Sequence, residues 1–336
     1  MENPGIQEET LHLCRIAGTG SYVPERVVTN ADFEKIVDTS DAWIVERTGI
    51  RERRFAAENE FTSDMATAAA RKAIKNAGIT VEDIDMIIVT TVSPDNIFPS
   101  TAARVQNNLG AVNAIGFDLE AACAGLIYGI EVGKRFIATG FKNLLVIGAE
   151  KLSGMMDMQD RNTCILFGDG AGAVILQRAN QNTGRILATE LGLDGSRAEM
   201  LQVPAGGSRL RPTYEVLDAR KQYMAMRGKE TFRYAVTYMV DCARKVFEKA
   251  NCLVEKLTLA IPHQANLRII QAAAERLGLR DDQVFLNVAK YGNTSSASVG
   301  IALDEAVTSG RIHRGDIVLL VAFGSGFSWG AVLLEW

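Results

Sequence analysis

The chain has 336 residues, of which 47% are apolar and 23% charged, with a formal net charge of −4 and a pI near 5.6. These values describe an ordinary globular protein, long enough for two domains or one large duplicated one. An acidic balance gives no reason to expect a nucleic-acid partner, and no apolar run approaches the ~18 residues of a membrane helix.

From the N-terminus, MENPGIQEETLHLC is acidic and polar, without the basic start or apolar core of a signal peptide. A cytoplasmic location is expected. Strand-like and helix-like runs then alternate: MIIVTTV, PSTAARVQNNLG, AIGFDLEAA, a glycine-spaced helix and NLLVIGAE. That alternation predicts an α/β protein.

The pattern then repeats. ARKAIKNAGITVEDIDMII begins at Ala70, and ARKVFEKANCLVEKLTLAI begins at Ala243, 173 positions later. RVQNNLG and AAAERLG, ending at Gly110 and Gly278, match 168 positions apart, as do Phe117 and Phe285. The next helices end in ATG at Gly140 and TSG at Gly310. The order of elements recurs as well as single letters, so a duplicated fold is expected. The division is drawn between residues 183 and 184. Counting back 17 from each terminal glycine pairs Cys123 with Asn293.

The helix after Cys123 carries Gly125, Gly129 and Gly133 on one face. Each costs roughly 1 kcal/mol relative to Ala. Small residues Ser296, Ala297 and Gly300 in the second copy suggest two central helices, buried between sheets, whose backbones meet closely.

Five cysteines, Cys14, Cys123, Cys164, Cys242 and Cys252, form no CxxC pair, so disulfides and a cysteine metal site are not expected. Cys123 differs in its place at a strand-to-helix turn among small neighbours. A helix N-terminus favours a thiolate and can lower a cysteine pKa from about 8.5 toward 3.5–7.5. His263 directly follows the strand LTLAI, and Asn293 stands at a helix start, where it could be simply an N-cap. Nucleophile, imidazole and amide, each at an element end, form a candidate catalytic set. AFGSGFSWG (Ala322–Gly330) follows an apolar strand; it could be a hairpin or could aim backbone N–H groups at an oxyanion.

These motifs, EAACAG, PHQANLRII, YGNTSSAS and FGSGFSWG, together with DAWIVERTGIRERR, NIFPSTAA and DRNTCILFGDGAGA, resemble the β-ketoacyl-acyl carrier protein synthase III family of the thiolase-like superfamily. The resemblance runs from about Arg15 to Trp336. It implies a five-layered αβαβα thiolase-like fold built from two duplicated halves, 1–183 carrying the cysteine and 184–336 carrying His and Asn, and a homodimer. The implied reaction moves an acyl group from coenzyme A, acetyl by default, to Cys123. Malonyl-acyl carrier protein then loses CO2 and attacks that thioester. No cofactor is implied; the coenzyme A thioester is a substrate.

The resemblance also assigns roles. Cys123 is the nucleophile, and His263 and Asn293 are donors to the enolate oxygen. The backbone N–H groups of Cys123 and Ser325 form the oxyanion hole, and many members carry glycine where this chain has Ser325. Trp43, Arg47, Arg161 and Asn266 are implied in coenzyme A binding, Arg268 in carrier-protein docking, and Phe98 in closing the partner's acyl pocket, near whose wall Met155–Met158 are placed. From pattern alone, WIVERTGIRERR reads rather as a charged surface helix end with one buried Trp. Rival readings are a same-fold acyltransferase or specialised-metabolism synthase and, from another class, a non-catalytic acyl-carrier-binding subunit. A thiolase would need a second cysteine in the C-terminal glycine turn, and GSGFSWG has none.

Overall fold

A computed structural model describes residues 12–180 and 184–336. The acidic stretch MENPGIQEETL and the 183/184 division fall at or beyond the edges of those residues.

The main-sheet strands of the first half are β1 (Cys14–Tyr22), β2 (Met86–Thr90), β3 (Ile115–Leu119), β4 (Asn143–Glu150) and β5 (Gly170–Arg178), beside a separate pair, Arg26–Thr29 with Glu52–Phe55. The five form one sheet in the order β1-β5-β4-β2-β3. Its helices are α1 (Asp41–Thr48), α2 (Thr62–Ala77), α3 (Thr101–Leu109) and α4 (Gly125–Ala138). The second half supplies β6 (Arg185–Leu193), α5 (Gly228–Lys249), β7 (Leu259–Pro262), α6 (Leu267–Leu277), α7 (Ser298–Thr308), β8 (Ile317–Gly324) and β9 (Ser328–Glu335). Its sheet runs β6-β9-β8-β7, the same topology without the outermost strand. A single parallel bridge, Ala260 to Val284, stands where β3 would be.

The burial pattern stacks these elements. Ile127 and Ile130 of α4 and Val299 and Leu303 of α7 pack between Val146 and Val174 of one sheet and Leu320 and Val332 of the other. On the outer face of the first sheet, Met65, Ala69 and Ala73 of α2 and Val105 of α3 cover Ile87, Leu145 and Ile175. Outside the second sheet, Met239, Ala243 and Val246 of α5 cover Leu319, Val321 and Leu333. Helix, sheet, helix, sheet, helix is the expected five-layered αβαβα arrangement. Strands buried on both faces explain continuous apolar runs such as MIIVT.

Two expectations need correction. The central helices begin alike: Ala122 and Ser295 both have left-handed φ (45° and 48°), and each opens a short 3₁₀ turn that leads into a helix. That alignment pairs Cys123 with Ser296, not Asn293. α4 has 14 residues and α7 has 11, so counting back from the helix ends slips by the missing turn. The glycines of α4 also do a different job. A Cβ on Gly129 would lie 2.7 Å from Val146 Cγ1, and one on Gly133 would lie 2.7 Å from Leu176 Cδ1. They seat the helix on the first sheet; Gly125 alone of the three approaches the second copy, at Ser296.

Candidate active site

Cys123 sits in the short turn Ala122–Ala124 that leads from the carboxyl end of β3 into α4. The end of β8 comes up against it: a Cβ on Gly324 would lie 2.6 Å from the Cys123 backbone nitrogen. Only a residue without a side chain lets the two backbones approach so closely. The thiol is buried, and burial pushes it up to about 12, against a counter-pull from a Ser295 hydrogen bond; Glu150 adds to the rise. The helix start therefore does not make the resting sulfur a thiolate, as its position alone suggested. Desolvation is the largest cause of that rise.

His263 follows β7, its backbone N–H bonded to Val321 O at 2.8 Å. The ring is buried, and burial lowers its pKa from 6.5 to about 3, so it is neutral at pH 7. Nδ1 lies 2.5 Å from Ser298 Oγ. That oxygen also accepts the Gln264 N–H at 3.4 Å, and it can either donate to Nδ1 or accept from it. With the hydroxyl donating to Nδ1, the second ring nitrogen, Nε2, carries the proton of the neutral imidazole. Asn293 is oriented in a similar way. Its Oδ1 accepts the Ser295 N–H at 2.8 Å, which leaves the Nδ2 amide to donate. Its backbone is fixed by bonds to Leu166 O and from the Gly168 N–H.

Cys123, His263 and Asn293 line one cavity of about 440 Å³. Trp43, Arg47, Asn266 and Arg268 lie along the same cavity. The Arg47 and Arg161 guanidinium groups both lie over the Trp43 ring, 4.6 and 5.2 Å from its centroid. Asn266 caps α6 by accepting the Arg268 N–H and donates to Arg47 O, joining α6 to α1. Arg268 is exposed, its guanidinium 5.9 Å from the Phe232 ring. A second cavity of about 350 Å³ opens from Cys123 on another side. Val92, Leu152, Met155, Val203 and Met224 make it largely apolar, and Ser325 reaches its edge. Phe98 lines neither cavity; it is 84% exposed.

Three contributors escaped sequence reasoning. Ser298 and Ser295 look like ordinary small helix-start residues until their partners are seen. Glu150 is fully buried at the end of β4 and accepts bonds from Ser93 Oγ, Ser296 Oγ and the Val92 N–H. It thereby ties the turn below Cys123 to the second copy. The DRNTCILFGDGAGA motif proves to be a wall: buried Arg53 bonds Ile165 O, and Asp169 holds Ala56 and Ser153, keeping Phe167 between the two cavities.

Models of the two parts of 3-oxoacyl-[acyl-carrier-protein (ACP)] synthase III match residues 117–195 and, for its C-terminal part, 247–336. The β-ketoacyl-[acyl-carrier-protein] synthase III of Caldanaerobacter subterraneus subsp. tengcongensis is 51% identical over 96% of this chain and 97% of that protein. The crystal structure of 3-oxoacyl-[acyl-carrier-protein] synthase III from Aquifex aeolicus superposes with a TM-score of 0.89 at 48% identity, covering 96% of this chain and all of that one. The priming β-ketosynthase from the R1128 polyketide biosynthetic pathway gives a TM-score of 0.89 at 35% identity, covering 99% of each chain.

Proposed function

The chain belongs to the 3-oxoacyl-[acyl-carrier-protein] synthase III family, and on that premise we propose how its own residues carry out the condensation that initiates fatty acid synthesis. The acyl-coenzyme A starter enters the larger cavity with its adenine end at Trp43, Arg47 and Arg161 and its pantetheine arm past Asn266. Cys123 sulfur attacks the thioester carbonyl and gives up its thiol proton, which ends on the departing coenzyme A sulfur. The C–S bond to coenzyme A breaks, the coenzyme leaves as the thiol, and the acyl chain enters the smaller, apolar cavity. The tetrahedral oxyanion accepts from the backbone N–H groups of Cys123 and Ser325.

Malonyl-acyl carrier protein then occupies the larger cavity, docking at Arg268. Loss of CO2 leaves an electron pair on the malonyl α-carbon, delocalised onto the thioester oxygen. His263 Nε2–H and Asn293 Nδ2–H donate to that oxygen. Donors held in place before charge develops are worth most in a water-excluded site. The α-carbon attacks the acyl-cysteine carbonyl, a C–C bond forms, and the Cys123 sulfur leaves as the thiolate, which takes a proton from solvent to restore the thiol. The scheme uses no cofactor, and the proposal includes a cytoplasmic location; no described helix is long and apolar enough to cross a membrane.

The observation that carries the reading is the orientation of the two donors. The Ser295 N–H occupies Asn293 Oδ1, and with the Ser298 hydroxyl donating to His263 Nδ1 both residues present N–H groups to the cavity they share with Cys123. A general base at His263 would need the opposite tautomer. The R1128 priming enzyme is the less similar neighbour, and nothing in the site favours specialised metabolism over fatty acid synthesis.

The proposal includes a homodimer. β3 is an edge strand with Ile115 57% and Phe117 36% exposed, and Ile97 and Phe98 beside α3 are 87% and 84% exposed. A long apolar edge is a template for pairing with another chain. Pairing there would send Phe98 toward the partner's acyl cavity. We also propose the two halves 1–183 and 184–336 as the units of duplication.

Intact-protein mass spectrometry after incubation with a panel of acyl-coenzyme A thioesters tests the reading. Covalent loading that vanishes in Cys123→Ala is the expected result. No loading with any thioester would overturn the enzyme assignment in favour of a carrier-binding subunit.

A further inference from the structure

The two cavities share Cys123, Phe167 and Leu201. Leu201 belongs to the excursion between β6 and α5, which also supplies Val203 and Met224 to the acyl cavity and Met226 to the entry cavity. Leu201–Gln202 is a strand of only two residues, paired with Ala225–Met226. So short a pairing gives little rigidity of its own. The excursion is instead tied to the body at separate points. Asp194 exchanges two backbone bonds with Phe327, at 2.7 and 2.8 Å. The Met224 N–H meets Met155 O at 2.9 Å, and Arg220 makes a paired bond with Asp157. At the cavity junction itself, the Ser325 hydroxyl donates to Leu201 O.

That last tie has an unusual position. The Ser325 backbone is the oxyanion donor in the function proposed above, while its side chain holds the wall of the acyl cavity. Glycine at this place would supply the first and not the second. We infer that Ser325 is a positioning residue for starter choice. Its hydroxyl fixes Leu201 at the neck between the two cavities and so limits the width of acyl group that Cys123 accepts. This inference rests on the acyl-loading reading of Cys123.

The coupling has a kinetic consequence. A bulky acyl chain that pushes Leu201 outward pulls, through this bond, on the turn that carries the oxyanion N–H. Discrimination against wide starters therefore falls on the loading step, as a lower rate at saturating thioester, and not on KM alone. Removing the hydroxyl separates the wall from the turn and relaxes that discrimination.

The test compares loading of acetyl- and isobutyryl-coenzyme A, by rapid quench and intact mass, in wild type and in Ser325→Ala, Ser325→Gly and Ser325→Thr. The ratio of maximal loading rates, isobutyryl over acetyl, is expected to rise about tenfold in the Ala and Gly variants, equivalent to about 1.4 kcal/mol. It should return to within about twofold of wild type in Ser325→Thr, which keeps the hydroxyl; a twofold factor is about 0.4 kcal/mol on the same scale. An unchanged ratio in the Ala and Gly variants, or an equal rate loss for both starters, overturns the inference. Wild type that loads neither thioester would instead overturn the reading beneath it.

Discussion

Ser298→Ala isolates what the His263 proton does. In the wild type Ser298 Oγ stands 2.5 Å from Nδ1 and receives the Gln264 N–H; in the proposed arrangement its own proton points at the ring. The imidazole is buried with a pKa held near 3, so protonation does not rescue an unsatisfied nitrogen at neutral pH. Removing the hydroxyl leaves a buried acceptor without a partner, a change of roughly 1–3 kcal/mol. The tautomer with Nε2–H loses that preference, and the enolate donor weakens by a similar amount. Decarboxylation of malonyl-acyl carrier protein should therefore slow by about 5- to 150-fold, at 1.36 kcal/mol per tenfold. Cys123 loading does not use this donor and should change far less. The assay is CO2 release from pre-acylated enzyme beside loading followed by intact mass. Nitrogen-15 imidazole shifts would report the tautomer directly. Equal losses in both half-reactions, or wild-type shifts showing Nδ1 protonated, would refute the reasoning.

His263 also predicts acid sensitivity. Its folded pKa of about 3 lies below the ordinary 6.5, so the unfolded chain binds that proton more readily. Its share of stability is full above pH 6.5 and is lost as pH falls from there toward 3, about 2 kcal/mol by pH 5. Denaturant midpoints at pH 7 and 5 should differ by less in His263→Gln than in wild type. Gly148→Ala would place a Cβ 2.2 Å from Ser296 O, a backbone atom that cannot swing aside. A loss of about 1–3 kcal/mol or more is expected in thermal unfolding, with decarboxylation reduced beyond the fold's loss because the segment from Asn293 to Ser298 is displaced. Phe98→Asp should yield a monomer by light scattering where wild type gives twice the mass; a monomeric wild type would refute the proposed pairing.

Much of the architecture was legible because duplication writes itself twice. The 173-residue offset read from Ala70 and Ala243 holds in three dimensions, carrying β2 at Met86 onto β7 at Leu259 and α4 at Gly125 onto α7 at Ser298. What misled was length. The shorter α7 made a count from the helix end name Asn293 as the partner of Cys123, when the shared left-handed turn pairs Cys123 with Ser296. The glycine spacing correctly announced a close approach, but periodicity cannot say whether a helix or a sheet lies on the other side.

By itself the sequence determined the fold class, the family resemblance and the identity of a thiol, an imidazole and an amide at element ends, because alternation, repetition and residue chemistry are local properties of the chain. Only the tertiary structure decided their states. Burial raised Cys123 and lowered His263 against what their types and positions suggested. Folding set Ser298 against His263 Nδ1 and the Ser295 N–H against Asn293 Oδ1, and Ser325 joined the turn after β8 to a wall more than a hundred residues away in the chain. Desolvation and hydrogen-bond direction depend on groups brought together by folding, which no stretch of the chain contains alone.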